Sequence, residues 1–168
     1  MKYALITGAS GGIGKAIAVK LAQQGYGLYL HYHQNKREID ELIMQMKPTN
    51  LPLQPIQADF TKREAVEIVL EHIHDDIEVI IHNSANSFFG LMTDMSDSEV
   101  YDMIQLQLTT PFLLTKYLLP AMIRKKQGKI VVISSVWGLA GASCEVLYST
   151  VKGGLNTFVK ALAKEVAP

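Results

Sequence analysis

The chain has 168 residues, a length that suits one domain and argues against two. Hydrophobic residues make up 48% and charged residues 19%, which excludes a disordered chain and allows a sizeable core. Sixteen basic residues balance sixteen acidic ones, so the positive surplus of a nucleic-acid binder is missing. The single cysteine, Cys144, forbids an internal disulfide and a Cys-based zinc cage and suits a reducing cytosol. Apolar runs such as Ile130–Ile133 fall far short of the roughly 20 residues a membrane span needs. Met1-Lys2 leads straight into Tyr3-Ala4-Leu5-Ile6, a strand pattern and not a signal peptide. A cytoplasmic chain without membrane or nucleic-acid partners is the expectation.

Short apolar runs predict strands over 3–6, 27–32, 53–57, 79–82 and 129–134. Between them lie helix-period segments near 12–24, 36–46, 62–74, 97–125 and 145–166. Strands without polar alternation, such as Ile130-Val131-Val132-Ile133, are what a sheet covered on both faces requires. The alternation of strand and helix therefore predicts a doubly wound α/β fold with a parallel sheet and right-handed crossovers. Ser96-Asp97-Ser98-Glu99 has capping-box spacing and should start the long fourth helix. Pro111 lies inside that helix and has no N–H to give, so a kink and a free carbonyl are expected at Gln107.

The first strand runs into Thr7-Gly8-Ala9-Ser10-Gly11-Gly12-Ile13-Gly14 and then a helix. Glycines let a backbone approach a pyrophosphate closely, and the helix N-terminus offers unpaired N–H groups and partial positive charge. The spacing of Gly8, Gly12 and Gly14 gains its force from lying between a first strand and a first helix, where dinucleotides bind. An NAD-specific site places an acidic residue about 20 residues past the loop. Here the second strand ends His31-Tyr32-His33-Gln34-Asn35-Lys36-Arg37, with no carboxylate before Glu38. A 2′-phosphate would meet no repulsion there, so NADP(H) is expected in preference to NAD(H). His31 and His33 share one strand face, but two ligands without a third do not make a metal site.

Tyr148 and Lys152 are four apart at the start of the last helix and so share one face. Tyr32 and Lys36 have the same spacing, so the pattern alone says nothing. The difference is Ser135, which follows the fifth strand and should point into the crevice at the carboxyl ends of the strands. Reducing a ketone with hydride builds negative charge on oxygen, which must then be protonated. A phenol can supply that proton, and a cation about 4 Å away contributes roughly 4 kcal/mol at an effective dielectric of 20. Ser135 would hydrogen-bond the substrate oxygen and stabilise its developing charge.

These motifs, with Asp59 after the third strand and Asn83-Ser84-Ala85 after the fourth, resemble the short-chain dehydrogenase/reductases along the whole chain. Among them the chain is most similar to 3-oxoacyl-(acyl-carrier-protein) reductases. The resemblance implies a Rossmann-type sheet in the order 3-2-1-4-5. It implies catalytic roles for Ser135, Tyr148 and Lys152, with Gln107 in place of an asparagine whose backbone carbonyl holds a relay water. It places the cofactor against Gly8, Ser10, Gly11, Gly12, Ile13, Gly14, Tyr32, His33, Asp59, Phe60, Asn83, Ser84, Ala85, Tyr148 and Lys152. Asp59 would contact the adenine, Asn83 would support the central strand and the adenosine ribose, and Lys152 would hold the nicotinamide ribose. Where relatives have Asn-Ala-Gly this chain has Asn83-Ser84-Ala85, which adds a methyl group beside the cofactor. Family members usually continue with two more strands and a substrate lid. The chain is therefore expected to be the front two thirds of a reductase, with weak or no activity alone.

The long fourth helix and the last helix carry more apolar residues than one buried stripe needs, among them Met103, Leu106, Phe112, Leu118, Ile123, Phe158 and Leu162. A homodimer or homotetramer across these helices is expected. Between Ser135 and Tyr148, Trp137 and Cys144-Glu145 are unusual for fatty-acid reductases. Together with His82-Asn83-Ser84 they resemble a bacterial subgroup that reduces the 5-aminopentanone modification on elongation factor P. The expected partner is thus a small-molecule or carrier-bound ketone, with elongation factor P as the alternative. Glu145 could pair with an amine on that substrate or simply start a helix. A non-catalytic dinucleotide sensor or scaffold on the same fold is the reading from another class, and retention of Ser135, Tyr148 and Lys152 argues against it.

Overall fold

The computed structural model describes residues 1–167. Five strands form one parallel sheet: β1 (Lys2–Ile6), β2 (Tyr26–Tyr32), β3 (Leu53–Gln57), β4 (Ile77–His82) and β5 (Lys129–Val132). Their order is β3-β2-β1-β4-β5, the Rossmann-type arrangement. The helices are α1 (Gly12–Gln23), α2 (Lys36–Met46), α3 (Ala65–Glu71), α4 (Asp97–Ile104), α5 (Thr110–Lys125), α6 (Trp137–Ala140) and α7 (Val146–Val166). No helix among the described residues is long and apolar enough to cross a membrane.

Alternate residues of the central strands feed two cores. Ala4, Ile6, Leu28 and Leu30 pack with Ala18 and Ala22 of α1 and with Ile39 and Leu42 of α2. Leu5, Tyr29 and Ile80 face the other way, against Val66 and Val69 of α3 and Leu114 of α5. The near-continuous apolar runs of β1 and β4 are therefore explained by cover on both sides, each fully buried Leu or Ile being worth about 1.5–3 kcal/mol.

β5 departs from its sequence pattern. It ends at Val132, two residues short of the predicted Ser134, and Val131 stays 42% exposed. β5 lies at the sheet edge beside β4, and its alternating exposed and half-buried residues show that one face is left open. α3 is also shorter than predicted. Asp59 Oδ1 accepts the Thr61 N–H (3.0 Å) and hydroxyl (2.8 Å), which holds 59–62 in a turn and delays the helix to Ala65. The last helix starts at Val146, with Glu145 as its N-cap, and the short α6 had no sequence signal.

The predicted fourth helix runs without a break over 97–125 but carries a π turn in its middle. The Ser96 capping box forms as expected: its hydroxyl accepts the Glu99 N–H, and its own N–H donates to Glu99 Oε2 at 2.8 Å. At Gln105–Thr109 the ladder widens into a π turn, in which the Thr110 N–H reaches back five residues to the Gln105 carbonyl. Pro111 follows directly on that π turn, inside the continuing helix. A change of helical register within the helix thus accompanies the proline.

Candidate active site

The sheet order reverses beside β1, so a crevice opens at the carboxyl ends of β1 and β4. Thr7 and Asn83 stitch those ends together. The Thr7 hydroxyl accepts the backbone N–H groups of Asn83 (2.9 Å) and Ser84 (3.1 Å). Asn83 Nδ2 donates back to the carbonyls of Thr7 (3.1 Å) and Gly8 (2.9 Å). The support that Asn83 gives is therefore visible, and it falls on the glycine loop.

Two glycines in that loop are required by geometry. Gly8 has φ +64°, and a side chain there would stand 3.0 Å from Ser84 Cα. A Cβ on Gly14 would lie 2.3 Å from the Gly8 carbonyl oxygen, so α1 can begin this close to the loop only without one. Gly11 caps α1 with no side-chain hydrogen bond, no acidic residue lies in the first turn, and Gly11, Gly12 and Ile13 are exposed. The first N–H groups of α1 thus face the crevice mouth unneutralised, which is the chemistry a pyrophosphate needs. The residues fit a bound dinucleotide.

The adenine side is built differently from the sequence expectation. Asp59 is partly exposed at the crevice. Burial pushes its carboxyl up, but hydrogen bonds from Thr61 and the charges of His33 and Lys62 hold it below the usual carboxylate range. His33 is exposed, with Nε2 3.7 Å from Asp59 Oδ2. Tyr32 and Phe60, expected at the cofactor, are only 5% and 2% exposed and belong to the two cores. β2 is buried along its whole length, so both side chains pack inward beside the Asp59 turn. The cations near the β2–α2 junction are already engaged: Lys36 with Asp40 (2.6 Å), Arg37 with Glu41 (2.8 Å) and Lys15 of α1 with Glu38. Ser10 is half-buried, Ser84 sits with Asn83 behind the loop, and Ala85 is exposed, so its methyl group meets open space.

On the other side of the crevice α6 and the start of α7 close on the end of β5. Lys152 is 3% exposed, and its Nζ donates to the Ile133 carbonyl at 2.9 Å. The ammonium lies 5.4 Å from the centroid of the Tyr148 ring. Burial pushes the Lys152 pKa down. The Ser134 hydroxyl donates to the Lys152 carbonyl (3.3 Å), and Asn156 donates to the Gly138 carbonyl (3.3 Å), which fixes α6 against α7. Half-buried Ser135 lies between these ties, its hydroxyl accepting the Trp137 N–H at 3.2 Å. The Cys144 carbonyl accepts the Gly90 N–H (2.9 Å) and joins this wall to the loop after β4.

Gln107 is fully buried in the π turn, and its Nε2 donates to Asn86, to the carbonyl at 2.7 Å and Oδ1 at 2.9 Å. Its Oε1 has no hydrogen-bond partner among the described residues. The side chain therefore grips the loop after β4, and Asn86 is a site residue that sequence reasoning missed. His31 was also missed, since it was weighed only as a metal ligand. Among the described residues no group of three or more His, Cys, Asp or Glu could hold a metal ion.

Comparison with known proteins agrees with this geometry. The chain is 49% identical over 170 residues to the uncharacterized oxidoreductase YmfI of Bacillus subtilis, covering 99% of this chain and 69% of that protein. It is 34% identical over 170 residues to a 3-oxoacyl-(acyl-carrier-protein) reductase of Haemophilus influenzae, covering 99% of this chain and 68% of the relative. A short-chain dehydrogenase from Sphingobium yanoikuyae, solved in complex with NADPH, superposes with a TM-score of 0.91 at 27% identity, over 100% of this chain and 67% of that one. The sequence model for short chain dehydrogenases matches residues 2–168. The glycine loop, the parallel sheet and the Tyr148–Lys152 helix thus have one common explanation: the chain belongs to the short-chain dehydrogenase family and is an NAD(P)-dependent oxidoreductase.

Proposed function

We propose that the protein is an NADPH-dependent carbonyl reductase acting on a ketone of the 3-oxoacyl-thioester type. The observation that carries this reading is the buried Lys152 ammonium set against the Tyr148 ring and tied to the Ile133 carbonyl, two residues before Ser135. A nicotinamide dinucleotide, when bound, supplies the hydride. The N–H groups at the start of α1 would hold its phosphates, and Lys152 and Tyr148 would lie on its nicotinamide side. The Ser135 hydroxyl donates a hydrogen bond to the substrate oxygen as negative charge grows there. Tyr148 then gives its proton to that oxygen. Lys152 stabilises the phenolate left behind, which the low-polarity surroundings make more valuable than in water. The Ile133 carbonyl keeps the ammonium in place meanwhile.

The NADPH preference rests on the absence of a carboxylate before Glu38, which leaves a 2′-phosphate unopposed. It is supported by the NADPH held in the Sphingobium yanoikuyae neighbour. The exposed faces of Phe112, Tyr117, Ile123 and Val166 support a homodimer or homotetramer. With cytoplasmic location these remain part of the proposal.

A second substrate is favoured by one observation. Glu145 caps α7 next to Tyr148 and takes part in no ion pair among the described residues, so its carboxylate is available to an amine. The 5-aminopentanone group on elongation factor P carries one. A full-length enzyme assayed with NADPH should reduce acetoacetyl thioesters, and Tyr148→Phe should lower turnover by about a hundredfold or more. Reduction of the aminopentanone alone would select the second substrate. Failure to oxidise NADPH with any ketone would overturn the reductase reading in favour of a dinucleotide sensor.

A further inference from the structure

All seven residues of β2 are buried, and His31 is the one among them whose ring is polar on two sides. It is 2% exposed, yet both ring nitrogens have partners. Nε2 lies 3.0 Å from the Ala58 carbonyl, which can only accept, so Nε2 carries the proton. Nδ1 is then a lone pair, and the Gly8 N–H donates to it at 3.1 Å. The Ser84 hydroxyl lies 3.4 Å from the same nitrogen. The ring is stacked on Phe60 at 3.7 Å between centroids and 4° between planes. One imidazole thus touches the β1–α1 loop, the β3–α3 turn and the chain leaving β4, the three segments that surround the nucleotide crevice.

Its grip on Gly8 has a specific consequence. The Gly8 carbonyl is fixed by Asn83 Nδ2 at 2.9 Å, and its N–H is fixed by His31. Both ends of the residue are therefore oriented where the backbone adopts φ +64° and turns toward α1. An apolar residue in place of His31 could fill the same volume but would leave the Gly8 N–H without an acceptor. We propose that His31, as its neutral Nε2–H tautomer, is a positioning residue for dinucleotide binding, holding the Gly8 N–H so that the glycine loop is preset for the pyrophosphate. This rests on the reading of the loop as the dinucleotide site.

Two substitutions separate positioning from simple core packing. His31→Asn puts an acceptor where Nδ1 stands and loses the donor to Ala58. His31→Gln keeps that donor and loses the acceptor for Gly8. NADPH binding to the chain is measured by fluorescence titration, beside thermal melting without dinucleotide. The expected result is an Asn variant that binds within about threefold of the unmodified chain and a Gln variant about tenfold weaker, the effect of one hydrogen bond. Both variants should melt at similarly lowered temperatures. Equal NADPH binding by the two variants, or the reverse order, overturns the proposal. If neither folds, imidazole nitrogen NMR of the unmodified chain decides: a proton on Nε2 supports the proposal and a proton on Nδ1 overturns it. An unmodified chain that binds neither NADPH nor NADH removes the dinucleotide reading itself, and this proposal with it.

Discussion

Acidification from pH 7 to pH 5 is expected to destabilise the chain through two histidines buried in neutral form. Burial, only partly offset by the Ala58 carbonyl, lowers the pKa of His31 from 6.5 to about 4. Burial alone lowers that of His82 to about 3, with Nε2 on the Thr115 hydroxyl at 2.8 Å and no partner for Nδ1 among the described residues. Both folded values lie below the unfolded one. Between about pH 6.5 and pH 4 the unfolded chain therefore holds more protons, and stability falls as the pH falls. Each pH unit below 6.5 costs about 1.4 kcal/mol per group, so each histidine removes about 2 kcal/mol by pH 5.

Together the pair removes about 4 kcal/mol from a total that for most domains is about 5–15 kcal/mol. In urea, at a slope near 2 kcal/mol per molar, the midpoint should be about 2 M lower at pH 5 than at pH 7. Carboxylates held low by partners, Asp76 by Lys125 and Glu99 by Ser96, add their loss mainly below about pH 5. His31→Asn should remove about half of the pH response, because its side chain does not titrate. A midpoint that moves by less than about 0.5 M between the two pH values refutes the reasoning.

Three substitutions test the site itself. Gly14→Ala places a Cβ 2.3 Å from the Gly8 oxygen and 2.9 Å from Ala9 Cα. It should cost about 1–3 kcal/mol in urea unfolding and weaken NADPH binding in the same preparation; unchanged binding would show that the loop does not meet the cofactor. Lys152→Met replaces a buried ammonium with an apolar side chain of similar length, so melting temperature should hold or rise while ketone reduction by the full-length enzyme is lost. Retained turnover would remove the lysine from the mechanism. Gln107→Asn shortens the side chain that holds Asn86. Turnover is expected to change by less than about tenfold, since the relay depends on backbone; a gain of a hundredfold or more would show that the natural glutamine impairs it.

The parallel sheet and the glycine loop were legible because both depend on local pattern, whereas the strand order came from the family resemblance. Apolar runs such as Val79-Ile80-Ile81 require two covered faces, and a glycine run between strand and helix has few other uses. Tyr148 and Lys152 were legible only in combination with Ser135, since Tyr32 and Lys36 carry the same spacing with no chemistry attached. The burial of Tyr32 and Phe60 was not legible, because sequence distance from a strand end does not say which way a side chain points. His31 was misread for a deeper reason. Its role depends on partners at Gly8, Ala58 and Ser84, which the sequence scatters and the sheet order gathers.

The fourth helix shows where pattern rules fail by construction. Reading Pro111 against one α ladder leaves a single carbonyl, that of Gln107, without a partner. The chain instead moves to a five-residue ladder just before the proline, and the Thr110 N–H goes to Gln105. That extra residue in the turn places the Gln107 amide inward against Asn86. It also puts the irregular stretch beside α7, which carries Tyr148 and Lys152. Wide turns of this kind concentrate at functional sites because they are otherwise unfavourable. A rule that assumes constant periodicity misses this register change, which accompanies the contact of the Gln107 amide with Asn86.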